Sequence, residues 1–377
     1  MANLANSFRV SRRVFRSQHS ADERDEHLIT HLGLRLGLRW GYQGAARTWG
    51  VLASALLLTL GSAAPLFAAD PFRSSNPAVG EKTGEAFELI FRDSDYRGAQ
   101  ALLDEAAQGE ADEPLLHTLQ ALLYYRAQEN NGGAAADWSP LNRYASQTQS
   151  AAASLKSSTD EQAKLRGNLY LAMAEFLNGA YAISENGPVR GMSSALGKLR
   201  GIYSSMRTAR QIDKDDPELN LVQGFLDLIT SIYLPLSDTQ AAIRKLESVR
   251  ETNPEAAYLA DWAMATGYRA MKKNDKALEA IDRALAAQPD HAEMSYLKAQ
   301  ILASQGDRAA AASLFKIALQ KSETMPDNLV AQIFIEACRN NRELNNIERN
   351  CDAPRDAIRD DATDPWGPAA VSLLSQL

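Results

Sequence analysis

Histidine, cysteine and strand-forming runs are all scarce in this chain, and each scarcity removes a class of chemistry. Of five histidines in 377 residues, only His117 and His291 lie beyond residue 70. They are far apart with no cysteine near either, which leaves no metal-ligand spacing. His117, inside LLHTLQ, is expected to be packed or exposed on a helix. His291 follows Pro289-Asp290 and is expected to be solvated at a helix start. No Gly-x-Ser-x-Gly elbow is present. No phosphate-cradling Gly-x-x-x-x-Gly-Lys occurs, and no Gly-x-Gly-x-x-Gly follows a strand. Asp213, Asp215 and Asp216 lack the glycine and distal glutamate of a calcium loop. The expectation is a protein that is not an enzyme, with no catalytic residue, metal or cofactor; the alternatives are a membrane-tethered structural or assembly factor and an enzyme of unrecognised type.

Positive charge is short as well. The net charge is −7, and the first 69 residues carry eight arginines against four acids, so they hold +4 and leave −11 for the remainder. An acidic body argues against nucleic acid, because phosphate binding needs clustered Lys and Arg.

Only two cysteines exist, Cys338 and Cys351. An even count suggests pairing in an oxidising compartment and free thiols otherwise. A bridge would close a loop of about 14 residues, worth about 3 kcal/mol in the chain-entropy account.

What is present begins with 22 uncharged residues between Arg47 and Asp70, TWGVLASALLLTLGSAAPLFAA. A basic lead, a short apolar centre and small closing residues predict a secretory signal cleaved near Ala68 or Ala69. The alternative is an uncleaved anchor tethering the protein to a membrane through residues 48–69, since about 20 apolar residues span a bilayer. Either reading places the body outside the cytoplasm, in a periplasm or equivalent lumen.

Beyond residue 80, Ala, Leu, Glu, Lys, Arg and Gln dominate, with apolar residues three and four apart. Helices are predicted over 80–92, 96–108, 114–128, 139–157, 160–184, 190–213, 217–233, 238–252, 255–272, 274–287, 291–304, 307–321 and 327–343. Breakers stand at NNGG (130–133), Ser139-Pro140 and ENGP (185–188). The fold class is all-α. Pro217-Glu218, Pro254-Glu255, Pro289-Asp290 and Pro326-Asp327 recur at intervals of 37, 35 and 37 residues. Proline can begin a helix but not continue one, and an acid suits the first turn. Such a period implies stacked helix pairs.

Ala277, Ile281 and Ala284 share one helical face, and small residues there let a partner helix approach closely. With Ala265, Tyr268 and Pro289 they make residues 258–291 resemble a tetratricopeptide repeat. Residues 292–325 resemble the next, through Ala299, Leu302, Gly306, Ala311, Phe315 and Ala318. Glu323 stands where the closing proline would be, with Pro326 three residues later. Residues 217–254 form a degenerate unit around LPLSD. The resemblance implies an α-solenoid of antiparallel pairs, with longer helices in the N-terminal half. The expected organisation is a leader (1–47), the signal or anchor (48–69), a linker (70–79), degenerate helical repeats (80–216), clearer repeats (217–326) and a cap with tail (327–377).

ISENGPVRG (183–191), DDPELNLVQGFLDL (215–228) and YLADWAMATGYRAM (258–271) further resemble an exported group of repeat proteins found in cyanobacteria, which implies location and fold but no reaction. Repeat position implies that Trp262, Thr266 and Arg269 from one unit, and Tyr296 and Gln300 from the next, face a concave groove. Such a set suits an extended or helical peptide of a protein partner. The competing reading packs Trp262 and Tyr296 between helices.

Overall fold

The computed structural model describes residues 79–128, 137–233, 239–360 and 364–377. The leader and the signal or anchor lie outside the described residues. Among those described there is no strand ladder, only an isolated antiparallel bridge between Pro326 and Trp366. The rest is helix: α1 (Glu81–Glu88), which runs on through a π turn at Leu89–Asp93, α2 (Tyr96–Gly109), α3 (Pro114–Gln128), α4 (Ser139–Lys156), α5 (Glu161–Ile212), α6 (Pro217–Tyr233) and α7 (Thr239–Thr252). Then follow α8 (Ala257–Ala270), α9 (Asn274–Ala287), α10 (Ala292–Gln305), α11 (Arg308–Leu319), a 3-10 turn (Ser322–Thr324), α12 (Asp327–Asn345), α13 (Asp352–Arg359) and α14 (Ala370–Ser375).

The helices stop and start where the chain supplies caps. Asp95, Asp160, Asp216 and Asp307 each accept the backbone N–H three residues on, at 2.8, 2.7, 2.8 and 3.1 Å. These bonds satisfy donors that a helix leaves open at its N-terminus. The Pro-acid beat marks every second helix start, although in two ways. Pro217 is the first residue of α6 and Pro326 caps α12. Pro254 and Pro289 instead sit in the turns preceding α8 and α10.

Residues 161–212 run helical throughout except at Gly187, whose φ of 76° turns the chain back on itself. A left-handed φ is cheap for glycine alone. Four residues later a Cβ at Gly191 would lie 2.4 Å from the Ala182 carbonyl oxygen, so only glycine lets the second arm cross the first there. Farther from the turn the Lys198 ammonium meets the Glu175 carboxylate at 3.1 Å. α5 is therefore a helical hairpin, broken where ENGP predicts.

Consecutive helices pack together: α1 with α2, α3 with α4, α4 in turn with α5, α6 with α7, α8 with α9 and α10 with α11, while the two arms of α5 meet at Gly191 and at Lys198–Glu175. The small-residue seam is closed. Ala277, Ala280, Ile281 and Ala284 on α9, and Ala311, Phe315 and Ala318 on α11, are all fully buried. Charge spans one outer seam too: Asp261 on α8 holds Arg283 of α9 at 2.7 Å and Arg250 of α7 at 3.7 Å. Between pairs, α6 touches α8 and α8 touches α10. The array thus curves with its first helices inward, as a solenoid does.

The tail returns to the repeats. The Gly367 N–H donates to the Met325 carbonyl at 2.9 Å, and the Asp327 N–H to that of Pro365 at 3.0 Å. A disulfide joins Cys338 on α12 to Cys351 just before α13, their Cα atoms 5.8 Å apart.

Candidate partner-binding face

The inward wall is the surface a solenoid offers to a partner, and here much of it is covered by the chain itself. On α8 every side chain from Tyr258 to Tyr268 is buried; on α10 the same holds from Ala292 to Leu297, and on α12 from Asp327 to Ala331. A helix buried on all sides has neighbours on all sides. α8 is enclosed by α6, α7, α9 and α10; at the start of α10 the extra neighbours are Tyr96 of α2 and Arg126 of α3, and at the start of α12 they are α3 and the C-terminal tail.

Three sets of contacts bind the segment over α1 to α3 to the wall. The Ser94 hydroxyl lies 3.1 Å from His291 Nδ1 and accepts the Ala292 N–H at 3.0 Å. The Ser94 carbonyl in turn accepts from the Thr324 hydroxyl at 3.2 Å. Ser94 reaches this position because it ends the π turn with a left-handed φ of 56°. The Tyr96 phenol donates to Glu293, and Arg126 pairs with the same carboxylate, all three side chains being buried. Asn328 on α12 donates to the Ala127 carbonyl at the end of α3.

The Tyr96–Arg126–Glu293 cluster has a counterpart near α6. There the Tyr170 phenol donates to Glu218 at 2.9 Å, and Arg166 lies 3.9 Å from Glu218 and 3.1 Å from Glu113. In both, a glutamate at the second position of an inward helix receives an arginine and a tyrosine from outside its own pair. Burial, then the nearby carboxylate, pushes both phenols well up, so each keeps its proton and remains a donor.

His291 is not solvated as expected; it is fully buried. Its Nδ1 accepts the Met294 N–H at 3.3 Å, capping α10, and its ring stands edge-on to Trp262 with centroids 4.7 Å apart. Burial, then the positive charge of Lys321, drives its pKa down to about 3. The serine–histidine contact is consequently an interlock between segments, closed to solvent on both sides. His117 is buried in α3, with Nε2 2.8 Å from the Ala111 carbonyl. Among the described residues no group of three or more His, Cys, Asp or Glu side chains could hold a metal ion.

The expected groove residues divide accordingly. Trp262, Thr266 and Tyr296 are 4 %, 5 % and 7 % exposed, so they do not face an open groove. The physical reason is occupancy: Ser94 and His291 close over the Trp262 end, and Thr266 spends its hydroxyl on the Trp262 carbonyl at 3.0 Å. Arg269 and Gln300 remain half-buried at the opposite end of the wall. There Gln300 Nε2 donates to Glu336 at 2.8 Å, and Gln332 donates to the other oxygen of the same carboxylate. Arg269 and Glu336 both bear electrostatically on the Tyr296 phenol, whose pKa is raised chiefly by burial. The reachable set is thus Arg269, Gln300, Gln332 and Glu336, an arginine and a carboxylate flanked by amides. Gln332 and Glu336 escaped the sequence reading because α12 follows the last recognisable repeat and was assigned to the cap.

An α-solenoid built of antiparallel helix pairs is the class that this geometry defines. The family model described as tetratricopeptide repeat matches residues 263–326, from within α8 to the proline that opens α12. No curated protein and no solved structure matches the chain.

Proposed function

We propose that the chain is a non-enzymatic scaffold that holds a protein or peptide partner against the free end of its inward wall, outside the cytoplasm. The match of residues 263–326 to a repeat whose general use is protein–protein contact carries this reading. Arg269, Gln300, Gln332 and Glu336 supply the contacts. They offer paired hydrogen bonding to a partner's backbone or carboxylate, with Tyr296 as the apolar floor behind them. Trp262 and Thr266 support that floor from within.

Three features support export: the 22 uncharged residues that follow Arg47, the Cys338–Cys351 bridge, and the resemblance of residues 183–191, 215–228 and 258–271 to an exported repeat group. Disulfides persist in oxidising compartments. Residues 48–69 act as a cleaved signal in this reading. Among the described residues no helix is long and apolar enough to cross a membrane.

The test is recovery of the partner from the cell envelope by crosslinking, with wild type and with Arg269→Ala/Gln300→Ala. The double variant is expected to keep its helical circular dichroism and lose the crosslinked partner. Undiminished recovery sinks the assignment of this face. Sequencing the N-terminus of the purified protein checks export separately, and a start before residue 48 argues against cleavage.

A further inference from the structure

The second arm of α5 stands apart from the acidic remainder of the protein. Residues 189–212 contain Arg190, Lys198, Arg200, Arg207 and Arg210 and no acid. Lys198 is engaged by Glu175, and Arg210 donates to Asn220 and Gln223. Arg190, Arg200 and Arg207 are exposed and, among the described residues, take part in no ion pair or hydrogen bond. The nearest acid in sequence on the turn side is the exposed Glu185, and on the far side Asp213.

Large apolar groups share this face. Val189 is 71 % and Leu196 41 % exposed, an arrangement that costs free energy in water. At 100° per residue Val189, Leu196, Arg200 and Arg207 fall within about 40° of one another, along about 27 Å of helix. They form a single stripe. The opposite face is spent on packing, since Gly191, Ile202, Met206 and Ala209 are buried. The stripe's edge is open at Gly197, where a Cβ would meet nothing within 4 Å among the described residues.

From this we infer that the second arm of α5 docks on an anionic lipid surface, with Arg200 and Arg207 on headgroup phosphates or carboxylates, Val189 and Leu196 at the acyl boundary, and Arg190, about 100° round the helix from Val189, reaching headgroups from the stripe's flank. A ridge of interleaved arginine and aliphatic side chains fits a plane better than it fits a pocket, and that interleaving is the pattern of interfacial helices. Charge complementarity is local. The Debye length is about 8 Å at physiological salt, so a flat surface senses the near face and little of the acidic body behind it. A flexible polyanion such as RNA would meet that body as well.

Flotation of the full chain tests the inference, using vesicles of phosphatidylcholine alone and of phosphatidylcholine with phosphatidylserine, at low and high salt. The readout is the anionic-over-neutral binding ratio, compared between each variant and wild type, a comparison from which insertion through residues 48–69 and the attraction of the basic residues 1–47 both cancel. Each arginine is expected to contribute about fivefold, so Arg190→Gln/Arg200→Gln/Arg207→Gln lowers the ratio about a hundredfold. High salt does the same to the wild type. Lys156→Gln/Lys273→Gln/Lys316→Gln removes equal charge elsewhere and leaves the ratio unchanged. Val189→Asp/Leu196→Asp lowers binding to the anionic vesicles. All are surface changes, and circular dichroism confirms the fold of each. A wild-type ratio near one, or equal losses in the two triple variants, overturns the inference. So does an arginine variant that keeps vesicle binding but loses an acidic protein in the envelope crosslink, which assigns the ridge to that protein.

Discussion

The segment over α1 to α3 and the repeats over α8 to α11 are built from the same unit, an antiparallel helix pair, yet they are held by different physics. The repeats close on themselves: Ala277, Ile281 and Ala284 pack against the helix just before them in the chain. The N-terminal segment is held from afar, through Ser94 and Tyr96 against His291 and Glu293, each 197 residues away. Small residues at fixed spacing suffice where the partner helix is a neighbour. Where it is distant, buried polar groups select the one position that satisfies them all, because any shift strands a charge.

The sharpest way to break this comparison is to remove one distant partner. Arg126→Ala leaves Glu293 buried with half its compensation gone and is expected to cost about 3–5 kcal/mol in chemical denaturation. A cost below about 1 kcal/mol means that the cluster does not hold the segment.

Acid acts on the same junction. Unfolded, His291 titrates near 6.5; folded, it is held down to about 3. A depressed pKa means that the unfolded state binds the proton first. Stability from the neutral ring is therefore whole above 6.5 and declines by about 1.4 kcal/mol per pH unit between 6.5 and 3. Denaturation midpoints at pH 7.5 and 5 should fall farther in wild type than in His291→Asn, which retains a capping side chain. Parallel losses in the two proteins refute the coupling.

Within the repeats the expected effect is smaller. Ala284→Leu forces extra atoms into the α8–α9 seam and should cost about 1–3 kcal/mol, felt through local packing alone. If its cost depends on whether Arg126 is present, the two regions are not separable in the way described, and a double-mutant cycle of the pair measures that directly.

The repeats were legible because their signals are local. Helix ends at Pro217, Gly187 and Gly306, and the stripe at 277–284, can each be read within a dozen residues. Glu218 was legible, but under another meaning: an acid in the first turn of a helix is already explained by the helix dipole, and at α10 Asp290 was read in that role, so nothing in the sequence marks Glu218 or Glu293 as one corner of a buried triangle. The same applies to Trp262. Repeat position places it on the inward wall correctly, with His291 of the next repeat against its ring, and only the arrival of Ser94 from a distant stretch closes over that histidine. Ser94 itself gave no sign, since a π turn followed by a left-handed serine has no distinctive composition.

The reach from residue 94 to residue 291 also has a consequence in time. Ordinary solenoids assemble rung by rung, since every rung needs just the one beside it. Here α1 to α3 cannot bury their polar groups until about two hundred further residues exist, and non-local closure of that kind slows folding. The segment over α1 to α3 is made before the helices that complete it, and it is finished only after them.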